Sequence, residues 1–454
     1  MDVQQKRVEF TKEMKKDYTI LIPNMAPVHF NLIKNVFTNH GYNVVLLENN
    51  GPNVVQEGLK YVHNDMCYPA LLVIGQMIDA LHSGQYDPDK IALVITQTGG
   101  GCRASNYIFL LRKALKRAGF EQIPVISLNL KGLEHNSGFK LTVPMLLQAF
   151  AGLIYGDMLM LLKNQVRPYE LQTGAADALV DEWNGRLSLQ FKRGRGWSLS
   201  AMRKNLNAIV DSFTQIKVEY VPKVKVGIVG EIYMKYASLG NNNLEQLLAD
   251  EGCEVMLPGI IGFVMYGCDN SETDRKLYGG RFWISKGTHL VMKLLTKIEK
   301  MSIDAVKRYP QFTPPSPYAK TKALDEGVIS HGCKMGEGWL LTAEMLELAE
   351  SGYANIVCTQ PFGCLPNHIC GKGMIRKIKE RMPQANIVPI DYDPSATHVN
   401  QENRIKLMLA VAREELEKEL NAPAPTDIRC ISAETPVADV KGSRQQAIKP
   451  AIGM

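Results

Sequence analysis

The chain carries nine cysteines, yet no two of them form a CxxC pair. The spacing on which structural zinc sites usually rest, with ligands two to four residues apart, is therefore missing. An odd cysteine count also argues against a disulfide framework. No GxxxxGKS/T phosphate loop occurs, and "CGKGM" lacks its spacing, so no phosphate-cradling P-loop is expected. The DxGxT-type motif of sugar-kinase-like ATPases is absent too. The first residues, "MDVQQKRVEFTKEMKKD", are polar throughout and predict no secretory signal. The formal charge of +6 is spread thinly, with its densest spots at "KRGRGW" and "RKIKERM". Both read as solvated faces, and no basic stripe points to nucleic acid. The most apolar run, Val143 to Lys163, contains Gln148 and Asp157 and barely reaches the ~20 residues that span a bilayer. It predicts a buried or half-buried helix. These absences lead to a cytoplasmic protein that engages neither nucleic acid nor membrane.

What is present is ordinary in bulk and patterned in detail. The chain has 454 residues, 45% hydrophobic and 22% charged, enough for two or three domains with ample core. "YTILIPNMAPVHFNLIKNVFTNHGYNVVLLENN" reads as strand (Tyr18 to Ile22), amphipathic helix, then strand (Asn43 to Glu48). The order recurs with a strand at Val224 to Val229, a helix at Asn243 to Asp250 and a strand at Cys253 to Leu257. Ile91 to Thr96 and Ile123 to Leu128 add strands to the first half, and Asn355 to Thr359 and Ala385 to Ile390 to the second. Strands alternating with helices predict parallel sheets covered on both faces. The expected class is α/β, with two Rossmann-like parallel-sheet domains joined by a helical connecting segment. The expected divisions are 1–150 and 221–421 for the α/β domains, 151–220 for the connector and 422–454 for a mobile tail. "RPYELQTGA" and "KRGRGW" read as turns within the connector, and "YPQFTPPSPY" as a loop in the second half.

In open parallel sheets, functional groups gather beyond the carboxyl ends of the strands. Cys102 follows a strand in a loop of three glycines, whose backbone can approach a bulky inorganic group. Cys67 stands near a helix start with Pro69 in the first turn, where a thiolate is favoured. Cys364 lies in a loop bracketed by Pro and Gly after a strand. All three positions combine irregular backbone, a strand end and partial polarity. Cys358 sits inside the apolar "NIVCT" and reads as core rather than ligand. Cys370 falls near a helix start, and Cys333 in "HGCKMGEGW" could face the site. Cys253, Cys268 and Cys430 lack a supporting context and default to small buried hydrophobes. Three thiols from strand-end loops of two domains suit an iron–sulfur cluster with one open iron better than a zinc ion.

These motifs carry a resemblance. "NDMCYPA", "QTGGGCRASNY", "VGIVGEIYMKYASLGNNNLE", "GEGWLLTAEM" and "PFGCLPNHICGKGM" resemble the superfamily of 2-hydroxyacyl-CoA dehydratases, benzoyl-CoA reductases and double-cubane cluster proteins. Within it, the chain is most similar to the acyl-CoA dehydratase activase-related proteins. The resemblance implies two or three α/β domains with a cluster between them, held by Cys67, Cys102 and Cys364. The cluster would be a four-iron, four-sulfur (4Fe-4S) unit or a double cubane (8Fe-9S). The resemblance also implies a separate ATPase activator with its own cluster, and a homodimer. The quoted motifs are those of the cluster module; in larger relatives the activator is fused to it. A cysteine at 333, where Asn would be expected, departs from the pattern.

Three functions follow. The chain could be the low-potential reductase component of an ATP-dependent two-component system, passing electrons to a small-molecule substrate. It could be a 2-hydroxyacyl-CoA dehydratase subunit, although no CoA-binding surface is evident, or a non-catalytic electron carrier. No catalytic residue is assigned. Glu231 after a strand and Glu337 between glycines are candidate proton donors, with capping or loop-orienting roles as the plainer use. His368 lies one turn from Cys364 and would bond a cluster sulfur or simply pack. The apolar residues Leu159, Met160, Leu161 and Leu162 are the expected dimer surface, with packing onto the first domain an equally physical use.

Overall fold

The computed structural model describes residues 7–63, 65–98, 100–129, 134–279 and 282–421. The expected tail, 422–454, and Cys430 within it lie outside the described residues. The first sheet contains β1 (Thr19–Pro23), β2 (Asn43–Leu47), β3 (Ile91–Thr96) and β4 (Val125–Leu128). The second contains β5 (Lys225–Gly230), β6 (Glu254–Met256), β7 (Asn355–Pro361) and β8 (Asn386–Tyr392). Their orders are β2-β1-β3-β4 and β6-β5-β7-β8, so the same topology occurs twice. Every ladder is parallel, in registers such as Thr19 with Asn43 and Val226 with Asn355. Helices cover both faces, which is why the central strands are continuous aliphatic runs; five of the six β3 residues are buried.

Each sheet reverses its strand order between its first and third strands, the place where open α/β sheets bind ligands. Four connections leave these carboxyl ends. β1 leads to α1 (Pro27–Asn39) and β3 to α3 (Tyr107–Ala118), with α2 (Tyr68–His82) lying between β2 and β3. β5 leads to the short helical turn Ile232–Tyr236, and β7 to a short helix, Leu365–Cys370. Gly230 ends β5 at φ +147°, and a methyl group there would collide with Thr359 on β7. Only glycine lets the two central strands stay paired while the chain turns into Glu231.

The connecting segment is built from α4 (Val143–Val166), α5 (Ala175–Lys192) and α6 (Leu199–Phe213). Its expected turns fall between these helices. Leu159, Met160, Leu161 and Leu162 are only 0%, 6%, 7% and 0% exposed. The expected dimer surface is therefore corrected: those side chains fill the core, and packing within the chain uses them. One core cluster joins Ile20 and Val94 of the first sheet, α4 to α6, and Val229 and Ile356 of the second. The helical span Val143–Tyr169 is long and apolar enough to cross a bilayer, with mean hydropathy 1.7, but 67% of its apolar window is buried inside the protein. Between β6 and β7 the chain makes a hairpin of α7 (Ile260–Tyr278) and α8 (Phe282–Val306), the proline-rich loop, and α9 (Trp339–Glu350).

Candidate functional site

All three singled-out thiols occupy the residue just before a helix. Cys67 precedes α2, Cys102 precedes the turn Arg103–Asn106 that runs into α3, and Cys364 precedes the helix Leu365–Cys370. None of the three side chains caps its own helix, yet each stands at the positive end of a helical turn. Cys102 and Cys364 follow β3 and β7, as the strand-end reading requires. Cys67 does not: it follows the helix Pro52–Tyr61. The strand-end expectation is corrected for that residue, and its resemblance to the others lies in the helix start alone.

The two halves meet at these caps. The N–H of Tyr68 donates to the carbonyl of Phe362 at 2.9 Å. Gly363, at φ +76°, lies so close that an added methyl carbon would stand 3.1 Å from the Cys67 Cα. The Tyr107 hydroxyl is 2.9 Å from the Cys67 sulfur, so the helix that begins after Cys102 reaches the Cys67 thiol. The glycine loop before Cys102 is braced by Ser105, whose hydroxyl donates to the Gly100 carbonyl at 2.7 Å. Across the cleft, a methyl group on Gly101 would run into the Met335 sulfur, which places the 333–338 loop against the Cys102 loop. Cys67 and Cys364 are buried, and Cys102 is half-buried.

Glu231 and Glu337 join the same site. Glu231 caps the turn Ile232–Tyr236 by accepting the Met234 N–H at 2.9 Å. Glu337 accepts the Ile232 N–H at 3.0 Å. Two carboxylates thus share one helical turn. Burial, then the charge of Glu337, pushes Glu231 from 4.5 up to about 8. Burial also raises Glu337. The capping reading of both residues is correct locally, yet it leaves each carboxyl holding a proton more readily than usual. Lys235 favours both charged forms, but it is committed to a buried pair, 3.3 Å from each oxygen of Glu344.

The thiols feel the same environment. Burial raises all three; the Tyr107 hydrogen bond opposes this at Cys67, and backbone N–H groups oppose it at Cys102. Cys364 is driven far up by burial and then by Glu231 and Glu337. Three neutral thiols and two proton-holding carboxyls, with one cation already paired, form a donor set short of positive charge. A bound cationic centre inverts this logic and makes the sulfurs thiolates. Buried polar atoms without partners occur near these residues in the chain: both side-chain amide atoms of Asn367, the Gln360 side-chain oxygen and the Tyr233 hydroxyl. This donor set fits an iron–sulfur cluster. No group of three or more His, Cys, Asp or Glu among the described residues is drawn close enough for a single metal ion. A cubane binds each thiolate to a different iron, so its ligands stand further apart than those of one ion.

The remaining candidates separate from the three caps. Cys358 is fully buried within β7 and receives the Gln360 amide at 2.7 Å, a core position. Cys370 closes its helix rather than starting it, and its thiol is raised to about 11 by burial and then by nearby Cys333. Cys333 is exposed. Cys253 is buried and Cys268 half-buried on α7. His368 is half-buried, and its backbone N–H donates to the Cys364 carbonyl. Tyr107, Asn367 and the Lys235–Glu344 pair were not foreseen. Tyr107 sits in a quoted motif, but nothing in that run points to a thiol 40 positions earlier.

No protein-family model matches the chain, and no curated protein matches it.

Proposed function

We propose that the chain is a cytoplasmic iron–sulfur protein, the low-potential reductase component of an ATP-dependent two-component system. Its partners in this reading are a separate ATPase activator with its own cluster, a small-molecule substrate and a second copy of the chain. The observation that supports it most is the meeting of Cys67, Cys102 and Cys364, each at a helix start, beside the carboxyls of Glu231 and Glu337. When bound, the cluster supplies one-electron reduction at an iron that no protein thiolate occupies. The chain's own residues set up that chemistry. Cys67, Cys102 and Cys364 would hold the cluster, and first-turn N–H groups favour negative charge on their sulfurs. Tyr107 fixes the orientation of the Cys67 sulfur through its hydroxyl. Glu231, pushed up to about 8 by burial and then by the charge of Glu337, would hold a proton at neutral pH and supply it to a group bound beside it. Glu337 is positioned for the same task by the Ile232 N–H.

The test is an anoxic mixture of chain, activator and ATP. The expected result is ATP hydrolysis only when the activator is present, coupled to bleaching of the chain's own absorption. ATP hydrolysis by the purified chain, or no electron transfer from a competent activator, contradicts the proposal. Turnover of an added 2-hydroxyacyl-CoA would assign the chain to the dehydratases instead. Reduction without turnover of any substrate would leave it a carrier.

A further inference from the structure

A partly open cavity is lined by α4, the end of β6, α7, α8, the proline-rich loop and α9. Its wall is mainly aliphatic, with Leu161 and Ile298 among the contributors. Every charged side chain in that wall is a carboxylate: Asp157, Glu299, Glu344 and Glu347. No Lys, Arg or His lines it among the described residues. None of Cys67, Cys102, Cys364, Glu231 or Glu337 lines it either, so it is separate from the candidate cluster site.

The one-sided charge has a structural cause. Two side-chain pairs stand between this cavity and a neighbouring one. His29 Nε2 is 2.8 Å from Asp157 Oδ1, and Lys235 Nζ is 3.3 Å from Glu344. His29 and Lys235 line the neighbouring cavity, and their carboxylate partners line this one. Asp157 also accepts the N–H groups of Ile260 and Ile261, at 2.8 and 2.9 Å. These two carboxylates are therefore partnered from behind. The other two are not. Glu299 accepts the Tyr318 N–H at 2.6 Å and Glu347 the Ser351 hydroxyl at 2.7 Å. Neither is ion-paired among the described residues. Burial holds Glu299 above its ordinary value, the mark of a carboxyl that lacks a counter-charge.

We propose that this cavity binds a small organic ammonium, its apolar body against the aliphatic wall and its charged head at Glu299 and Glu347. The aliphatic wall supplies the drive to bury a hydrocarbon. A primary ammonium offers three donors and the positive charge that the two unpaired carboxylates lack. A carboxylate or phosphate of the same shape would meet the two unpaired carboxylates with no lining cation to offset them, which is a built-in rejection. The inference stands independently of the iron–sulfur reading.

Calorimetric titration of the full chain at low salt with hexylammonium, 1-hexanol and hexanoate tests it. Hexylammonium is expected to bind at least about tenfold tighter than hexanol, and hexanoate not to bind. Glu299→Gln and Glu347→Gln should each reduce the preference for the ammonium over the alcohol while leaving hexanol binding in place. Equal affinity for amine and alcohol, tighter binding of hexanoate, or no binding of hexylammonium overturns the proposal. So does a preference that survives both substitutions, because the ammonium then sits elsewhere. The wild-type ligand series decides the charge question even if a variant fails to fold.

Discussion

The two sheets have one topology and four comparable exits, and they differ in what they place there. After the first strand of each sheet, the residue before the helix is Ala26 in the first half and Glu231 in the second. After the third strand it is Cys102 in the first half and Cys364 in the second. The thiols thus stand at equivalent positions of the two sheets, and the acid at only one. Cys67 adds a third thiol from outside this scheme, at the start of α2. The architecture is repeated, while the chemistry is not. The first half offers two sulfurs and no carboxyl at the cleft. The second offers one sulfur and both carboxyls.

Equivalent thiols should fail equally. Cys102→Ala and Cys364→Ala are each expected to abolish the visible iron–sulfur absorption of protein purified without oxygen, and Cys67→Ala to do the same, because three ligands leave no redundancy. Cys358→Ala and Cys370→Ala should retain most of the iron. Loss of the absorption in Cys358→Ala with retention in Cys364→Ala would break the equivalence of the two sheets.

The loops before the thiols should respond unequally. Gly363 has a left-handed backbone, and a methyl carbon there would stand a tight 3.1 Å from the Cys67 backbone. Gly363→Ala is expected to cost on the order of 2 kcal/mol or more in denaturant unfolding. Gly101 meets only the end of the flexible, largely exposed Met335 side chain, so Gly101→Ala should cost less than about 1 kcal/mol. Comparable losses at both positions would show that the halves are not pressed together at Gly363.

The acid end of the comparison should appear in pH dependence. Glu231 is raised from 4.5 to about 8, so the folded chain binds a proton that the unfolded chain releases between those values. Stability of the cluster-free protein is therefore fully present below about pH 4.5 as far as this group is concerned. It is lost progressively as pH rises towards 8. Glu231→Gln, which carries no titrating proton, should flatten the slope of the unfolding midpoint between pH 5 and 8. A slope unchanged by the substitution would assign the effect to other groups.

Much of the fold was legible because parallel strands advertise themselves. "IALVIT" and "KVGIVG" are continuous aliphatic runs buried on both faces. The positions of Cys102 and Cys364 beyond strand ends were legible for the same reason, since glycine and proline mark where each strand stops. What remained hidden depends on partners distant in sequence. The periodicity of Val143 to Lys163 shows an apolar helix but not which surface covers it, and Leu159 to Leu162 proved to be core. The Tyr107 hydroxyl on the Cys67 sulfur and the Lys235–Glu344 pair are made across 40 and 109 positions. No local pattern encodes either contact. Nor could it show that Cys67 follows a helix, because that loop carries the same irregular composition as a strand exit.

The central claim is that three thiols, each on the residue before a helix, hold an iron–sulfur cluster. Iron and acid-labile sulfide analysis of the chain, purified and kept anoxic, tests it most directly. The account predicts about four irons per chain, with about four sulfides for separate cubanes or about four and a half for one double cubane shared by a dimer. Stoichiometric zinc without sulfide, or protein that stays folded and retains no iron after anoxic reconstitution, would contradict it.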